Sequence, residues 1–258
     1  PLRRRVVSRT WLLRRPRNAP ITIRTRHVKR GKRMTLTVYE TLEQGTEEWL
    51  EARRGLVTAS TMNRLVTPTL KTADNDTSRA LLNTLACERI TGHVEPHFET
   101  FDMARGHNEE PWAREEYAAH QGVEVAQIGF MTREFNGATL GYSPDGLVGD
   151  DGLIEIKCPQ PKEHLRTILA GKPPAQYQAQ LQVGLFVSGR EWIDYVSYVQ
   201  GMRLWVQRVT PDPAWFTAIE AATLAAETSI KNIINIYEQA THGYPLAERR
   251  PDLEEMRF

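Results

Sequence analysis

The spacing of apolar residues changes at Gly122, and that change restricts the fold more than any other feature of the chain. Upstream the spacing is helical. In "TEEWLEARRG" (46–55) Thr46 suits an N-cap, Glu47 and Glu48 suit the positive helix start, and Gly55 suits the end. A second helix is expected to begin near Thr58–Ser60, and the polar run 68–78 reads as a loop. Residues 78–91 form an amphipathic helix with Leu81, Leu82, Leu85 and Ile90 inward, and "ARGHNEEPWAREEYAAHQG" forms another that Gly122 closes. Downstream the period falls to two. "VEVAQIGFMT", "ATLGYSPDGLVG" and "GLIEIKC" read as three successive strands, with "GDDG" as a turn between the last two. Helices at about 161–170 and 174–187, strands in "EWIDYVSYVQ" and "RLWVQRVTP", and a long helix over 212–240 complete the series, before an irregular Pro/Arg-rich tail. The order predicts an α/β fold, a mixed central β-sheet flanked by helices, in one domain over 34–258.

Charge sets the first 33 residues apart. They hold 13 of the 33 Lys/Arg and none of the 32 Asp/Glu, which leaves 34–258 with a net charge of −12. Such a leader fits a transit-like peptide or a nucleic-acid arm. The reading adopted is sequence upstream of a natural start at Met34, outside the fold. No window approaches the ~18 apolar residues of a membrane span. Two cysteines, Cys87 and Cys158, make no disulfide framework, so a reducing cytoplasm is expected. They are too few for a four-cysteine zinc or iron–sulfur site.

The stretch "YSPDGLVGDDGLIEIKCP" (142–159) carries the chemistry. Paired as one hairpin, it places Asp145 near the turn and runs the second strand from Leu153 to Lys157. Strand alternation then puts Glu155 and Lys157 on one face and Ile154 and Ile156 in the core. Two adjacent carboxylates repel unless a cation lies between them, and hard oxygen ligands favour Mg²⁺ or Mn²⁺ over zinc. Lys157 beside them would position or deprotonate an attacking water. Taken alone, Asp-x(9)-Glu-x-Lys fits equally a surface hairpin with an incidental Glu–Lys pair.

Pro144-Asp145…Glu155-Ile156-Lys157 resembles the PD-(D/E)xK nuclease signature. Three further blocks, "WLEARRGLVTAS" (49–60), "RGHNEEPWAR" (105–114) and "YQAQLQVGLFV" (177–187), stand in the order of the phage lambda exonuclease (YqaJ-type viral recombinase) family, and the likeness covers about 44–240. The resemblance implies a restriction-endonuclease-like core. It also implies a Mg²⁺-dependent 5′-to-3′ exonuclease on linear double-stranded DNA that releases mononucleotides and leaves a 3′ single strand for annealing. Asp145 would bridge two metal ions, Glu155 and the carbonyl of Ile156 would hold the first, and Glu110 would help hold the second, with Mn²⁺ able to substitute. Lys157 would be the catalytic lysine. Arg53, Ser60 and Gln180 fall where the family holds the 5′-terminal phosphate, a role that an arginine fork with hydroxyl and amide donors suits. Tyr177 would pack or touch phosphate, and Met103 would be the apolar wedge at the terminal base pair. The family's minor-groove arginine has no match in "TPTLKTAD", where Lys71 is the only cation. A ring-shaped homotrimer and a single-strand annealing protein as partner are further implications.

Other signals are set aside. "HVEPH" (93–97) spaces two histidines by four, but Pro96 breaks the helix that would join them. Trp112, Trp192, Trp205 and Trp215 read as core, and Cys87 as a small buried hydrophobe. The alternatives are a structure-specific or restriction-type endonuclease on the same core, or a non-catalytic DNA-binding protein.

Overall fold

A computed structural model describes residues 21–23, 34–94 and 100–249. In chain order the elements are β1 (Ile21–Ile23), β2 (Met34–Tyr39), α1 (Glu47–Arg53), β3 (Val57–Thr58), a 3-10 helix (Ala59–Arg64) and α2 (Asp76–Thr91). Then come α3 (Phe101–Gln121), β4 (Val125–Ala126), β5 (Phe130–Phe135), β6 (Ala138–Tyr142), β7 (Gly146–Val148) and β8 (Gly152–Lys157). The chain continues through α4 (Pro161–Ala170), α5 (Ala175–Ser188), β9 (Trp192–Ser197), β10 (Trp205–Val209) and α6 (Pro213–Ala240). Among the described residues no helix is long and apolar enough to cross a membrane.

The helix ends follow side-chain chemistry. Thr46 accepts from the backbone N–H of Trp49 at 3.3 Å, and Asn75 accepts from that of Ser78 at 3.0 Å, each satisfying a donor that the first helical turn leaves free. Gly122 closes α3 in the left-handed conformation that a glycine adopts without strain. Three residues of the basic leader, Ile21–Ile23, pair antiparallel with β2. Residues 1–20 and 24–33, and the Pro/Arg-rich end from 250, lie outside the described residues.

The strands form two mixed five-stranded sheets rather than one, in the orders β1-β2-β5-β6-β3 and β10-β9-β8-β7-β4. Only β3–β6 and β8–β9 are parallel. The difference arises where two expected strands are each split. "VEVAQIGFMT" divides into β4 and β5, and "ATLGYSPDGLVG" divides into β6 and β7, one half in each sheet. Pro144 accounts for the second break, because it has no N–H to give to a ladder. The hairpin is therefore short. Gly146 pairs with Ile154 and Val148 with Gly152, so Asp145 sits at the open end of the hairpin, not beside its turn.

Helix α5 lies in the middle of the larger core. Its last eight residues are buried except Ser188, as expected of a helix that is apolar on most sides. Phe186 stacks edge-on against Phe135 of β5 and Phe216 of α6, with centroids 5.3 Å apart in both pairs. A smaller core of Ala113, Tyr117, Val148, Ile154, Ile156 and Val196 fastens α3 to the second sheet. There the Tyr117 hydroxyl donates to buried Asp194 at 2.8 Å, and Arg208 grips the same carboxylate through two nitrogens.

Two readings of single residues fail. Cys87 is exposed, because it stands about 100° round the helix from buried Ala86 and so points away from the face of Leu81 and Leu85. Trp112 is half exposed on α3, and only Trp192, Trp205 and Trp215 pack against core residues.

Gly55 ties three elements. Its N–H donates to Glu88 at 2.6 Å and its carbonyl accepts from Arg89 Nε at 2.9 Å, while Arg89 forks onto Glu227 of α6 at 3.0 and 2.7 Å. Its φ is +65°, and an added Cβ would lie 2.4 Å from Arg89 Cγ. Gly55→Ala is expected to cost about 2 kcal/mol or more in urea unfolding, from the left-handed backbone and the displaced arginine together. A loss near zero would mean that Arg89 moves aside freely.

Candidate active site

The break between β6 and β7 faces a cleft of about 1140 Å³. All ten residues singled out from the sequence line it: Arg53, Ser60, Met103, Glu110, Asp145, Glu155, Ile156, Lys157, Tyr177 and Gln180. Four segments supply them: α1 with the 3-10 helix, α3, the β7–β8 hairpin and the first turns of α5.

At the floor, β7 begins at Gly146, opposite Ile154, too late in the chain to pair with Ile156. The Ile156 N–H donates instead to Asp145 Oδ2 at 2.6 Å, which joins the strand to the carboxylate. Glu155 is almost fully buried. It accepts from Lys157 Nζ at 2.6 Å and Gln180 Nε2 at 2.5 Å, with the Tyr142 hydroxyl 3.5 Å away. The Tyr177 ring lies 5.2 Å from Lys157 Nζ. Glu110, on α3, pairs with Arg114 one turn on.

Burial and mutual repulsion leave these acids reluctant to ionise. Burial raises Glu155, and Asp145 beside it adds to the effect, pushing it to about 8. The same two causes raise Glu110 to about 7. Burial also raises Asp145, against the opposing pull of Lys157 and of the Ile156 N–H. For Lys157, burial acts to lower the pKa, but Glu155 and Asp145 outweigh it and hold the ammonium above its usual range.

Among the described residues no group of three His, Cys, Asp or Glu side chains is arranged as a preformed metal cage. The donor set still fits a hard divalent cation. Mg²⁺ is commonly held by one or two carboxylates with water and substrate oxygens completing the shell, and a cation relieves the repulsion by Asp145 that adds to burial in raising Glu110 and Glu155. Asp145, Glu155, the carbonyl of Ile156 and Glu110 are the candidate ligands.

A second cluster occupies another part of the cleft. Arg53 lies with its guanidinium carbon 4.1 Å above the Trp49 ring and donates to Ser143 Oγ at 3.0 Å, which Trp49 Nε1 also reaches at 3.0 Å. Burial lowers the Arg53 pKa to about 10, so it stays charged. Ser60 Oγ is 3.2 Å from Thr58 Oγ1. Gln180 donates to Glu155 here, so its expected place beside a terminal phosphate requires it to turn. Met103 is half exposed, and Lys71 stands exposed on the 67–75 loop.

Sequence reasoning missed Ser143, Trp49 and Arg114. Arg114 had a signal, its i,i+4 spacing from Glu110. Ser143 and Arg53 had none, being 90 positions apart. Cys158, next to Lys157, is an unreactive thiol; burial, with Glu109 and Glu110 nearby, pushes its pKa to about 12. His93 follows the end of α2 at Gly92, and His97 lies outside the described residues.

Mixed sheets flanked by helices, with a Pro-Asp and a Glu-x-Lys meeting where a strand crosses between them, define a restriction-endonuclease-like fold. The YqaJ-like viral recombinase domain matches residues 48–191, and the chain belongs to that family. Its fold is similar to that of an alkaline exonuclease from Laribacter hongkongensis, which has also been solved in complex with dAMP. Each comparison gives 34% identity and a TM-score of 0.68, over 76% of this chain and 98% of that one. A phage-related exonuclease from Haemophilus somnus 129PT shares the fold at 14% identity and a TM-score of 0.53, over 70% and 96% of the two chains. No curated protein matches.

The raised acids set a pH dependence. Between the ordinary carboxylate value of 4.5 and about 8, the metal-free folded protein holds protons on Glu155 and Glu110 that the unfolded chain has released. Stability therefore falls as pH rises through that window. In thermal melts with EDTA, Tm is expected to drop from pH 5.5 to pH 8, on a scale of roughly 2–4 °C per kcal/mol. Mg²⁺ should restore it at pH 8, and Glu155→Gln should flatten the slope. A slope unchanged in Glu155→Gln would refute the assignment.

Proposed function

We propose that this chain is a divalent-metal-dependent DNA exonuclease that degrades linear duplex DNA from 5′ ends, releases 5′-mononucleotides and leaves a 3′ single strand. The observation that carries the reading is the meeting, in one cleft, of the Asp145–Glu155–Lys157 cluster with the half-buried Arg53–Ser143 pair. The first suits hydrolysis of a phosphodiester, and the second suits capture of a terminal phosphate. The dAMP complex of the Laribacter hongkongensis exonuclease is consistent with a mononucleotide product.

Asp145, Glu155, the Ile156 carbonyl and Glu110 would hold two Mg²⁺, with Mn²⁺ able to replace them. Bound there, the ions supply charge neutralisation and a polarised scissile phosphate. Lys157, held against Glu155, would orient or deprotonate the attacking water and stabilise the negative charge that develops at phosphorus. Gln180 and Tyr142 steady Glu155.

Arg53 is stacked and hydrogen-bonded in place, so it meets a phosphate dianion with little ordering left to do. Ser143 offers a hydroxyl beside it, Ser60 another on the same cleft, and Met103 stands at the cleft as the wedge against the terminal base pair. Assembly as a homotrimeric ring and partnership with a single-strand annealing protein belong to the same proposal, on the strength of family membership.

The test uses duplexes with 5′-phosphate ends, the same duplexes with 5′-hydroxyl ends, and a closed circle, each with Mg²⁺ or EDTA. Nucleotide release from linear DNA alone, faster from 5′-phosphate ends and absent in EDTA, is expected. Lys157→Ala should lower kcat by about 10²-fold or more. Arg53→Ala should abolish the preference for 5′-phosphate while sparing 5′-hydroxyl substrate. Nicking of the circle would make the protein an endonuclease, and binding without cleavage would make it a DNA-binding protein.

A further inference from the structure

Arg114 stands outside the cleft lining but is joined to three residues within it, Glu110, Asp145 and Gln127. Its Nε donates to the backbone carbonyl of Asp145 at 2.8 Å, and its Nη2 donates to Glu110 Oε1. With the Gln127 amide turned so that both partners are satisfied, the Gln127 oxygen accepts from Nη1 at 3.1 Å and Nη2 at 3.2 Å. The Arg114 side chain is only 13% exposed. One guanidinium thus joins α3, the β6–β7 break and the β4–β5 loop.

Those contacts fall on the two weakest joints of the metal-ligand set. Asp145 lies just outside β7, so no strand ladder fixes its carbonyl. Glu110 comes from α3, a different element from the hairpin that carries Asp145 and Glu155. The contacts use the Asp145 carbonyl rather than its carboxylate, so they set the direction of that side chain without occupying it. Helix α3 is itself held by the fully buried Ala113 and by Tyr117 on Asp194, which gives the arginine a fixed base.

We propose that Arg114 is a positioning residue. It clamps Glu110 to the Asp145 backbone so that the two carboxylates face a shared cation, and Gln127 locks the clamp. The inference rests on the proposed metal-dependent reading. A lysine cannot replace the arginine, because one ammonium on a flexible stem lacks the planar fork that reaches both partners. The arginine's charge acts against an incoming cation, whereas its geometry acts for it. Partners that orient metal ligands typically change metal affinity or activity by about 10–100-fold, and here the geometric effect is expected to win.

The experiment measures Mn²⁺ binding to DNA-free protein by calorimetry, with Tm recorded on the same samples. The proteins are wild type, Arg114→Ala, Arg114→Lys, Gln127→Ala and, as a structural control remote from the cleft, Arg89→Ala. Arg114→Ala and Arg114→Lys should weaken Mn²⁺ by about 10–100-fold. Gln127→Ala should give a smaller loss in the same direction, and Arg89→Ala should lower Tm without changing Mn²⁺ affinity. Affinity unchanged in Arg114→Ala, full rescue by lysine, or a loss matched by Arg89→Ala at equal Tm would each overturn the inference. A wild-type protein that binds no Mn²⁺ would instead overturn the metal-dependent reading beneath it, so the two failures are distinguishable.

Discussion

Glu155 is buried and Asp145 half-buried at the open end of one short hairpin, with Glu110 close enough for its own pKa to feel Asp145. Carboxylates so placed repel through a medium that screens poorly, and the surrounding structure answers that repulsion group by group. Lys157 and Gln180 hold Glu155, the Ile156 N–H holds Asp145, and Arg114 holds Glu110. Remove any one, and the hairpin, α3 and α5 lose part of what keeps them in register. The candidate site is thus also a place where the hairpin, α3 and α5 are tied to one another.

The same arrangement suits a body that is acidic overall. With 34–258 at a net −12, a polyanion has little reason to settle on the general surface. Cations in the cleft are few and specifically placed: Arg53, Arg105 and Lys157 line it, and each is already held by a neighbour. Within 34–258, these cations thus stand in a body of opposite net charge.

Much of the fold was readable because local chemistry and tertiary packing agree. Thr46 and Asn75 cap the helices that they begin, and Gly122 and Gly189 end α3 and α5. In "GLIEIK" the alternation put Ile154 and Ile156 into the core, where they are found. The crossing between sheets was hidden, because apolar alternation runs on from 138–142 into 146–148 as if through one strand. Only the missing N–H of Pro144 marks the break. Cys87 was misjudged for the opposite reason: its apolar neighbours share its stretch of sequence but not its side of the helix. All ten candidate site residues line one cleft, yet the Arg53–Ser143 contact was illegible, since no spacing rule connects α1 with the residue before Pro144.

The late start of β7 has a last consequence. In most of a sheet, a backbone amide is shielded by a neighbouring carbonyl, and its exchange with solvent reports strand opening. The amide of Ile156 is different, for its acceptor is the carboxylate of Asp145. Its protection from solvent follows the ionisation and direction of that side chain rather than the integrity of the sheet. Strand β8 thus carries an intrinsic probe of the charge state beside it, one proton that can be followed by NMR without any label at the site.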